Sequence, residues 1–193
     1  MGFKKEVRII AWDDCAFGFS TRSVRIIGVV FRGGDFIDGL ISAKIKKDGL
    51  DATEKIANTI MKSRHRDQLS VILLNGITFA GFNIVDIKKL SSATNMPVVA
   101  IVRNKPDMEK FLDAMKRVGN YSGRARLAKK AGRIYTHKNI FFQKSGISIK
   151  ECNELLEKIC TRSKIPEPLR VAHLIASGLS RMHEGGYESR GGA

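Results

Sequence analysis

The order of strand-like and helix-like segments is the feature of this sequence that most constrains its fold. Residues 6–12, 23–31 and 36–46 are apolar segments typical of β-strands. The second and third are joined by Arg32-Gly33-Gly34-Asp35, a turn sequence of the kind that closes a hairpin. The first 46 residues therefore predict three antiparallel strands in chain order.

The spacing of apolar residues changes after this segment. Residues 51–64 have a helical period, whereas 69–74 and 97–102 are short and almost wholly apolar, as expected of strands covered on both faces. Further helices are predicted at 86–93, 107–118 and 124–131 and from Ser148 and Pro166, with strands at 133–136 and 140–143. The predicted class is α/β with a ribonuclease-H-like layout: a mixed sheet with three antiparallel N-terminal strands and helices on both faces. This is a fold-level analogy and fixes no function alone.

The length suits one domain, which we expect over residues 1–182, followed by a mobile tail at 183–193. No apolar run reaches the roughly 18 residues that a membrane span needs, and the N-terminus has no apolar signal region. We therefore expect a cytoplasmic protein with no membrane partner. Cys15, Cys152 and Cys160 have no metal-ligand spacing and are predicted to be free thiols.

Charge gives the first indication of a partner. The chain has 34 basic and 19 acidic residues, a net charge of +15, and no acidic residue between Ala114 and Lys150. Such an acid-free segment would bind a polyphosphate by releasing its counterions; the alternative is an ordinary solvated surface. The residues predicted to contact nucleic acid are Arg124, Arg126, Lys129, Lys130 and Arg133.

Carboxylates at the ends of predicted strands are candidates for metal binding. Asp13 and Asp14 end the first strand, where oxygen ligands would suit a hard cation, although only one of two successive strand residues can face a given site. The alternative is a pair that caps a turn. Asp48 lies where a strand ends and a helix begins, and Asp51 is predicted to cap that helix, with Glu54 completing a capping box.

Residues 75–83 and the late histidine are the other candidates. The loop contains Gly76, Thr78, Gly81 and Asn83, which could approach a phosphate, or it is a tight connection that needs glycine for backbone reasons. His173 is predicted in the first turns of a helix, where histidines are often structural. His65 and His137 are predicted to face solvent or phosphate.

Three of these segments carry a resemblance to a known family. The sequences DGLDATE (48–54), NGITFAGFN (75–83) and PEPLRVAH (166–173) are similar to those of the archaeal branch of endonuclease V homologues, also called endonuclease dU. The resemblance covers residues 9–179. It implies a ribonuclease-H-like fold and a Mg²⁺-dependent cut in nucleic acid near a deaminated base.

The resemblance also implies roles for particular residues. Asp13, Asp48 and Asn75 correspond to the family's metal-binding acids, and His173 to a late histidine that opens a helix. Asn75 replaces an acid and brings no charge, which weakens the affinity for Mg²⁺; Asp14 or Asp86 could compensate. The Pro-Tyr-rich loop that separates strands in endonuclease V has no clear counterpart.

The sequence thus predicts a metal-dependent endonuclease that acts at or near deaminated bases, uses Mg²⁺ or Mn²⁺, and takes DNA rather than RNA. Asp13, Asp48 and His173 would be catalytic, with Asn75 assisting Asp13 and Asp48 in metal binding. Two alternatives remain open. One is a non-catalytic nucleic-acid-binding module with a weakened metal site, and the other is an enzyme that acts on a small phosphorylated molecule through the loop at 75–83.

Overall fold

The first three strands form the antiparallel meander that the sequence predicts. They are β1 (Arg8–Asp14), β2 (Ser23–Arg32) and β3 (Phe36–Lys46), with β1 paired to β2 and β2 to β3. Gly28, in the middle of β2, lies opposite Trp12, and a Cβ atom there would come within 2.8 Å of the indole ring. The glycine therefore gives the buried Trp12 ring room to lie across the sheet.

The computed structural model describes residues 6–161 and 163–183. Every helix and strand predicted from the sequence is present, with ends that differ by a few residues. The remaining elements are α1 (Ala52–Met61), β4 (Val71–Asn75), β5 (Thr78–Phe79), β6 (Asn83–Ile84), α2 (Ile87–Thr94), β7 (Val98–Val102), α3 (Met108–Met115), α4 (Tyr121–Lys130), β8 (Tyr135–His137), β9 (Ile140–Ser145), α5 (Ile149–Ile159) and α6 (Glu167–His183). The β5–β6 hairpin lies in the predicted loop at 75–83 and was not predicted.

The strand directions bring the last residues of several strands to one edge of the main sheet. Its order is β3-β2-β1-β4-β7-β9-β8, with β4 parallel to β1 and β7 parallel to β4. Because β2 is antiparallel to both β1 and β3, the strands β1, β3, β4 and β7 all run in one direction. Their last residues, Asp14, Lys46, Asn75 and Val102, therefore meet at one edge, which we call the carboxyl edge.

Helices cover both faces of the sheet. α6 packs against β1 and β2 and touches the side chain of Asp13, whereas the β5–β6 hairpin, which packs on α1, touches Asp14. Successive strand residues point to opposite faces, so α6 and the hairpin with α1 lie on opposite sides. The buried strands β4 and β7 form the middle of the core between these layers.

The predicted helix starts at Asp51, Asp86 and Ser148 are confirmed, but the predicted side-chain cap at Asp51 is wrong. Asp86 caps α2, and Ser148 caps α5 in a capping box with Glu151. Asp51 precedes α1 but makes no side-chain cap hydrogen bond. Its carboxylate instead accepts from Lys46 N at 3.2 Å, on the strand before it, so the predicted capping box with Glu54 does not form.

Three remaining expectations concern the chain as a whole. No helix in the described ranges is long and apolar enough to cross a membrane. Cys15, Cys152 and Cys160 are free thiols, as predicted. The predicted tail lies outside the described residues except for His183, the last residue of α6.

Candidate active site

Three of the predicted site residues meet at the carboxyl edge. Trp12 pairs with Leu74 across the parallel strands β1 and β4, so the residues that follow, Asp13 and Asn75, lie side by side. Asn75 Nδ2 donates to Asp13 Oδ1 at 3.0 Å, and His173 Nδ1 lies 2.9 Å from Asp13 Oδ2. We call these three residues the Asp13 cluster.

The geometry of the Asp13 cluster fixes how His173 is presented. Asp13 is only 3% exposed, whereas the His173 side chain is 47% exposed. An ionised carboxylate can only accept, so Nδ1 carries the hydrogen of this bond, and in the neutral imidazole the lone pair then lies on Nε2. The cluster can therefore offer Nε2 to a substrate as a hydrogen-bond or proton acceptor.

Asp14 adds a second carboxylate on the other face of β1. Its Oδ2 accepts from Ala80 N at 2.7 Å. Burial raises the pKa of Asp14 to about 6, and the charge of Asp13 adds to this effect, while the Ala80 bond opposes it. Across the described ranges, neither Asp13 nor Asp14 forms a salt bridge with a lysine or arginine, although the chain carries a charge of +15.

This uncompensated pair is the observation that bears on a metal. The oxygens of Asp13, Asp14 and Asn75 are the donor type that Mg²⁺ and Mn²⁺ prefer. Within the part of the chain that the structure describes, no group of three or more His, Cys, Asp or Glu side chains is arranged to hold a metal ion. Asp14 points to the other face of β1, so Asp13 and Asn75 are the pair that can face one cation. Substrate phosphates would complete its coordination, the usual situation for Mg²⁺ in proteins.

Asp48 is held at the same edge by the hairpin segment that also contacts Asp14. Its backbone has φ of 50°, its N–H donates to Ala80 O at 2.8 Å, and its Oδ1 accepts from Phe82 N at 2.8 Å. It makes no hydrogen bond with any member of the cluster. Two carboxylates can only accept, so a shared cation and not a hydrogen bond would join Asp48 to Asp13, and the role of Asp48 as a metal ligand stays a prediction.

Asp86 does not compensate for the missing charge of Asn75, because its carboxylate is already bound to other groups of the protein. It accepts from the N–H groups of Lys88 and Lys89, and Lys130 Nζ lies 2.5 Å away. Burial alone would raise the pKa of Asp86, but the Lys130 and backbone hydrogen bonds hold it below its usual value. Its role is to cap α2 and attach α4.

The contacts of the loop at 75–83 stabilise the fold and do not favour phosphate binding. Asn83 is fully buried; its Oδ1 accepts from Ala52 N and its Nδ2 donates to Lys46 O and Asp51 Oδ1. The prediction that Asn83 contacts phosphate is therefore wrong. Thr78 lies in β5, and Gly76 and Gly81 have positive φ, so the tight-connection alternative is favoured over the phosphate loop and the small-molecule enzyme built on it.

Arg124 is the clearest correction among the predicted nucleic-acid contacts. It is 4% exposed, and each of its three guanidinium nitrogens donates to backbone carbonyls. These carbonyls belong to Gly119, Gly49, Phe82 and Asp48. Arg124 thus joins α4 to the segments around Asp48, and it has no free face for a phosphate.

The other four predicted contacts are exposed. Lys130 pairs with Asp86, and the Arg133 guanidinium lies 5.7 Å from the Tyr135 ring centroid. Arg126 and Lys129 project from α4.

The prediction for His65 is wrong, and His137 faces solvent only in part. His65 is buried, and its ring lies so close to Gly39 that a Cβ atom there would come within 2.5 Å of Nε2. His137 Nε2 lies 3.3 Å from Glu157 Oε1 and is enclosed by protein. The His65 ring therefore does not face solvent, whereas the His137 side chain is 18% exposed and only its Nε2 is enclosed.

Sequence reasoning missed two cations beside the Asp13 cluster. Arg103 and Lys164 line, together with Asn75, a cavity of about 180 Å³. Both are exposed, and neither forms a salt bridge with any acid in the described ranges. The position of Arg103 directly after β7 was an available signal, because the end of a strand parallel to β4 must lie at the carboxyl edge.

Comparison with known structures agrees with this architecture. The chain superimposes on Ciona intestinalis endonuclease V in complex with DNA containing inosine, with a TM-score of 0.58 and 16% identity over 92% of this chain and 86% of that one. It is therefore a ribonuclease-H-like α/β protein with the fold of endonuclease V. Residues 5–180 match the family described as Endonuclease dU, and the chain belongs to that family.

More similar proteins come from archaea. The UPF0215 protein of Methanosarcina mazei is 47% identical over 183 residues, which is 92% of each chain. A crystal structure of a protein from Archaeoglobus fulgidus has a TM-score of 0.83 and 37% identity, covering 90% of this chain and 98% of that one. The resemblance seen in the sequence is thus confirmed.

Proposed function

We propose that the chain is an endonuclease that hydrolyses phosphodiester bonds in nucleic acid, at or near deaminated bases in DNA. The observation that carries this proposal is the Asp13 cluster at the carboxyl edge, in which the half-exposed His173 side chain can offer Nε2 to substrate. The endonuclease V of Ciona intestinalis was crystallised with inosine-containing DNA, which supports a deaminated base as the lesion.

His173 is the residue that would handle a proton. Asp13 holds its Nδ1, so Nε2 can accept the proton of an attacking water or orient that water against a phosphate. Asn75 fixes Asp13 from the other side and so limits the rotation of the carboxylate. A histidine positioned in this way contributes typically about 10²- to 10⁴-fold to a hydrolytic rate.

Asp13 and Asn75 would hold the Mg²⁺ or Mn²⁺ ion, with Asp48 as the further acid that the family resemblance implies. When bound, such an ion supplies a nucleophilic water at neutral pH and stabilises charge on the leaving oxygen. Because Asn75 is neutral, we expect the ion to bind weakly in the absence of nucleic acid.

Arg103 and Lys164 would hold the phosphate beside Asn75, since they line the same cavity and have no acidic partner among the residues described. The exposed residues Arg126, Lys129 and Arg133 would hold the backbone farther away. Contacts of this kind position a strand without reading its sequence.

Cleavage of labelled DNA and RNA strands that carry uracil or hypoxanthine tests the proposal. The assays contain Mg²⁺, Mn²⁺ or EDTA and compare the wild type with Asp13→Asn, His173→Ala and the control Asp35→Asn, an exposed turn residue. We expect metal-dependent cleavage that Asp13→Asn reduces at least about 100-fold and the control leaves unchanged. Equal rates in Asp13→Asn and wild type would refute the assigned site.

A non-catalytic binding module is the second candidate, favoured by the neutral Asn75 and by the lack of a three-residue metal group in the described part of the chain. Asn75→Asp separates the two. If only this variant cuts, while wild type binds strands in EDTA, the natural chain is a binding protein. If wild type cuts, the binding-only hypothesis is wrong.

A further inference from the structure

The loop that joins β1 to β2 carries an aromatic ring that the fold does not use. We call residues 15–22 the Phe19 loop. Phe17 packs partly against the core, but Phe19 is 100% exposed. A phenylalanine that leaves its whole ring in water contributes nothing through burial, so the packing of this chain gives no reason for its presence.

The backbone under this ring is nevertheless held in place. Lys47 Nζ donates to Phe19 O at 2.8 Å and to Gly18 O at 3.3 Å, and it lies 5.1 Å from the centroid of the Phe19 ring. Lys47 N donates to Arg22 O at 3.0 Å, and Gly18 N donates to Thr21 Oγ1 at 3.1 Å. The loop thus presents an exposed ring from a fixed backbone.

The position of the loop places Phe19 near the candidate active site. The loop begins directly after Asp14, and the lysine that holds it directly precedes Asp48. Both neighbours lie at the carboxyl edge. An open depression of about 680 Å³ beside the loop is lined by Thr21, Arg22, Ser23, Lys46, Lys47 and Asp48.

The charges around Phe19 favour a polyanion over an apolar partner. Arg22, Lys46 and Lys47 line the depression, with Asp48 as its one acidic lining residue in the part of the chain described. Cations hold phosphates, and an aromatic face stacks on any base because every base has a π-face. One exposed ring with Lys47 against it, next to a depression that Arg22 and Lys46 also line, matches a strand whose bases are unpaired.

We propose that Phe19 is a stacking platform for an unpaired base of a nucleic-acid strand that lies along the carboxyl edge, with Arg22, Lys46 and Lys47 contacting the neighbouring phosphates. This inference rests on the proposed function and names a residue that would position the strand. Phe19 touches the base and not the reacting phosphate, so its loss should affect binding more than the chemical step.

A tryptophan at this position gives a direct test. The sequence contains one other tryptophan, Trp12, which is buried in β1. In Phe19→Trp, we expect fluorescence quenching when a single-stranded oligonucleotide binds in EDTA, and none with an abasic strand of the same length. Phe36→Trp is the matched control, because Phe36 is also exposed but lies at the start of β3, at the other end of that strand.

Affinity gives a second readout. Phe19→Ala should weaken binding of the base-bearing strand about tenfold and leave binding of the abasic strand unchanged, as expected for one stacked base. Phe19→Tyr should restore the affinity, and Phe36→Ala should leave it unchanged. In a cleavage assay, Phe19→Ala should raise KM and change kcat little.

The outcomes separate this inference from the proposed function. Base-dependent quenching in Phe19→Trp without any cleavage by wild type would support the platform and refute the nuclease. Cleavage by wild type with no base-dependent quenching would refute the platform alone. A Phe19→Trp signal that responds to anionic phospholipid vesicles and not to oligonucleotides would also overturn the inference, because it would identify a lipid surface as the partner.

Discussion

Asp14 is the residue whose ionisation opposes folding most clearly. Burial raises its pKa from 3.8 to about 6, with Asp13 adding to the effect. Between these two pH values the folded state therefore binds more protons than the unfolded state. The free energy of unfolding consequently falls as the pH rises through this range. The cost of ionising Asp14 in the folded protein is fully present above the pKa of the folded state and absent below the pKa of the unfolded state.

Asp14→Asn should therefore stabilise the protein at neutral pH. The asparagine oxygen can still accept from Ala80 N, so the hydrogen bond is kept. We expect the free energy of unfolding at pH 7 in EDTA to rise by about 1–2 kcal/mol after allowing for partial exposure, and to be unchanged near pH 3. Urea unfolding at both pH values measures this, with Asp35→Asn as the exposed control; a loss of stability at pH 7 would contradict it.

At the scale of elements, the β5–β6 hairpin positions Asp48 through a glycine. Gly81 has φ of +87°, and a Cβ atom there would clash with Asp48 Oδ1. Gly81→Ala should displace the Asp48 side chain and destabilise the fold by more than about 1 kcal/mol. Thermal unfolding measures the effect against Gly119→Ala, where a Cβ atom would have no neighbour within 4 Å. Equal Tm values for the two variants would show that the hairpin adapts.

Arg124 attaches α4 to the backbone around Asp48 and Phe82. Arg124→Met keeps much of the apolar volume but leaves the carbonyls of Gly119, Gly49, Phe82 and Asp48 without their donor. We expect a loss of about 3 kcal/mol or more, typical of a broken buried polar network. Arg126→Met, two residues away on the exposed side of α4, should leave stability unchanged and weaken only nucleic-acid binding. Urea unfolding and strand binding, measured on both variants, distinguish the two roles.

These two arginines also show what the sequence could predict. β4 and β7 were predictable because strands buried on both faces are almost wholly apolar, and α5 because Ser148 and Glu151 form a capping box. Arg124 and Arg126 look equivalent in an acid-free segment, and only the packing of α4 separates a buried cross-link from a surface cation.

The candidate active site was likewise predictable from the sequence only in part. Parallel pairing of β1 and β4 follows from the element order, and it brings Asp13 and Asn75 together. The contacts of Asp48 and Asn83 depend on the β5–β6 hairpin, whose strands of two residues each carry no readable period.

At the scale of the whole molecule, two of the groups of exposed cations lie in separate places. Arg103 and Lys164 line the cavity beside Asn75, whereas Arg126, Lys129 and Arg133 lie on α4 and in the segment that follows it. Both groups would release counterions from a bound strand, so affinity alone does not distinguish them. Their effects on cleavage should differ, because only the first group lies beside the Asp13 cluster.

Alanine variants of the two groups test this division. Replacing the three residues Arg126, Lys129 and Arg133 should reduce the slope of log K against log salt for a single strand by about 2, since each lost phosphate contact removes roughly 0.7. The rate of cleavage at saturating substrate should change little. Replacing Arg103 and Lys164 should reduce the slope by about 1.4 and also lower kcat, because the phosphate beside Asn75 would no longer be held. Cleavage and binding measured across a KCl series give both quantities for each variant. If kcat falls only in the triple variant, the reacting phosphate lies on α4, and the Asp13 cluster is not the centre of the reaction.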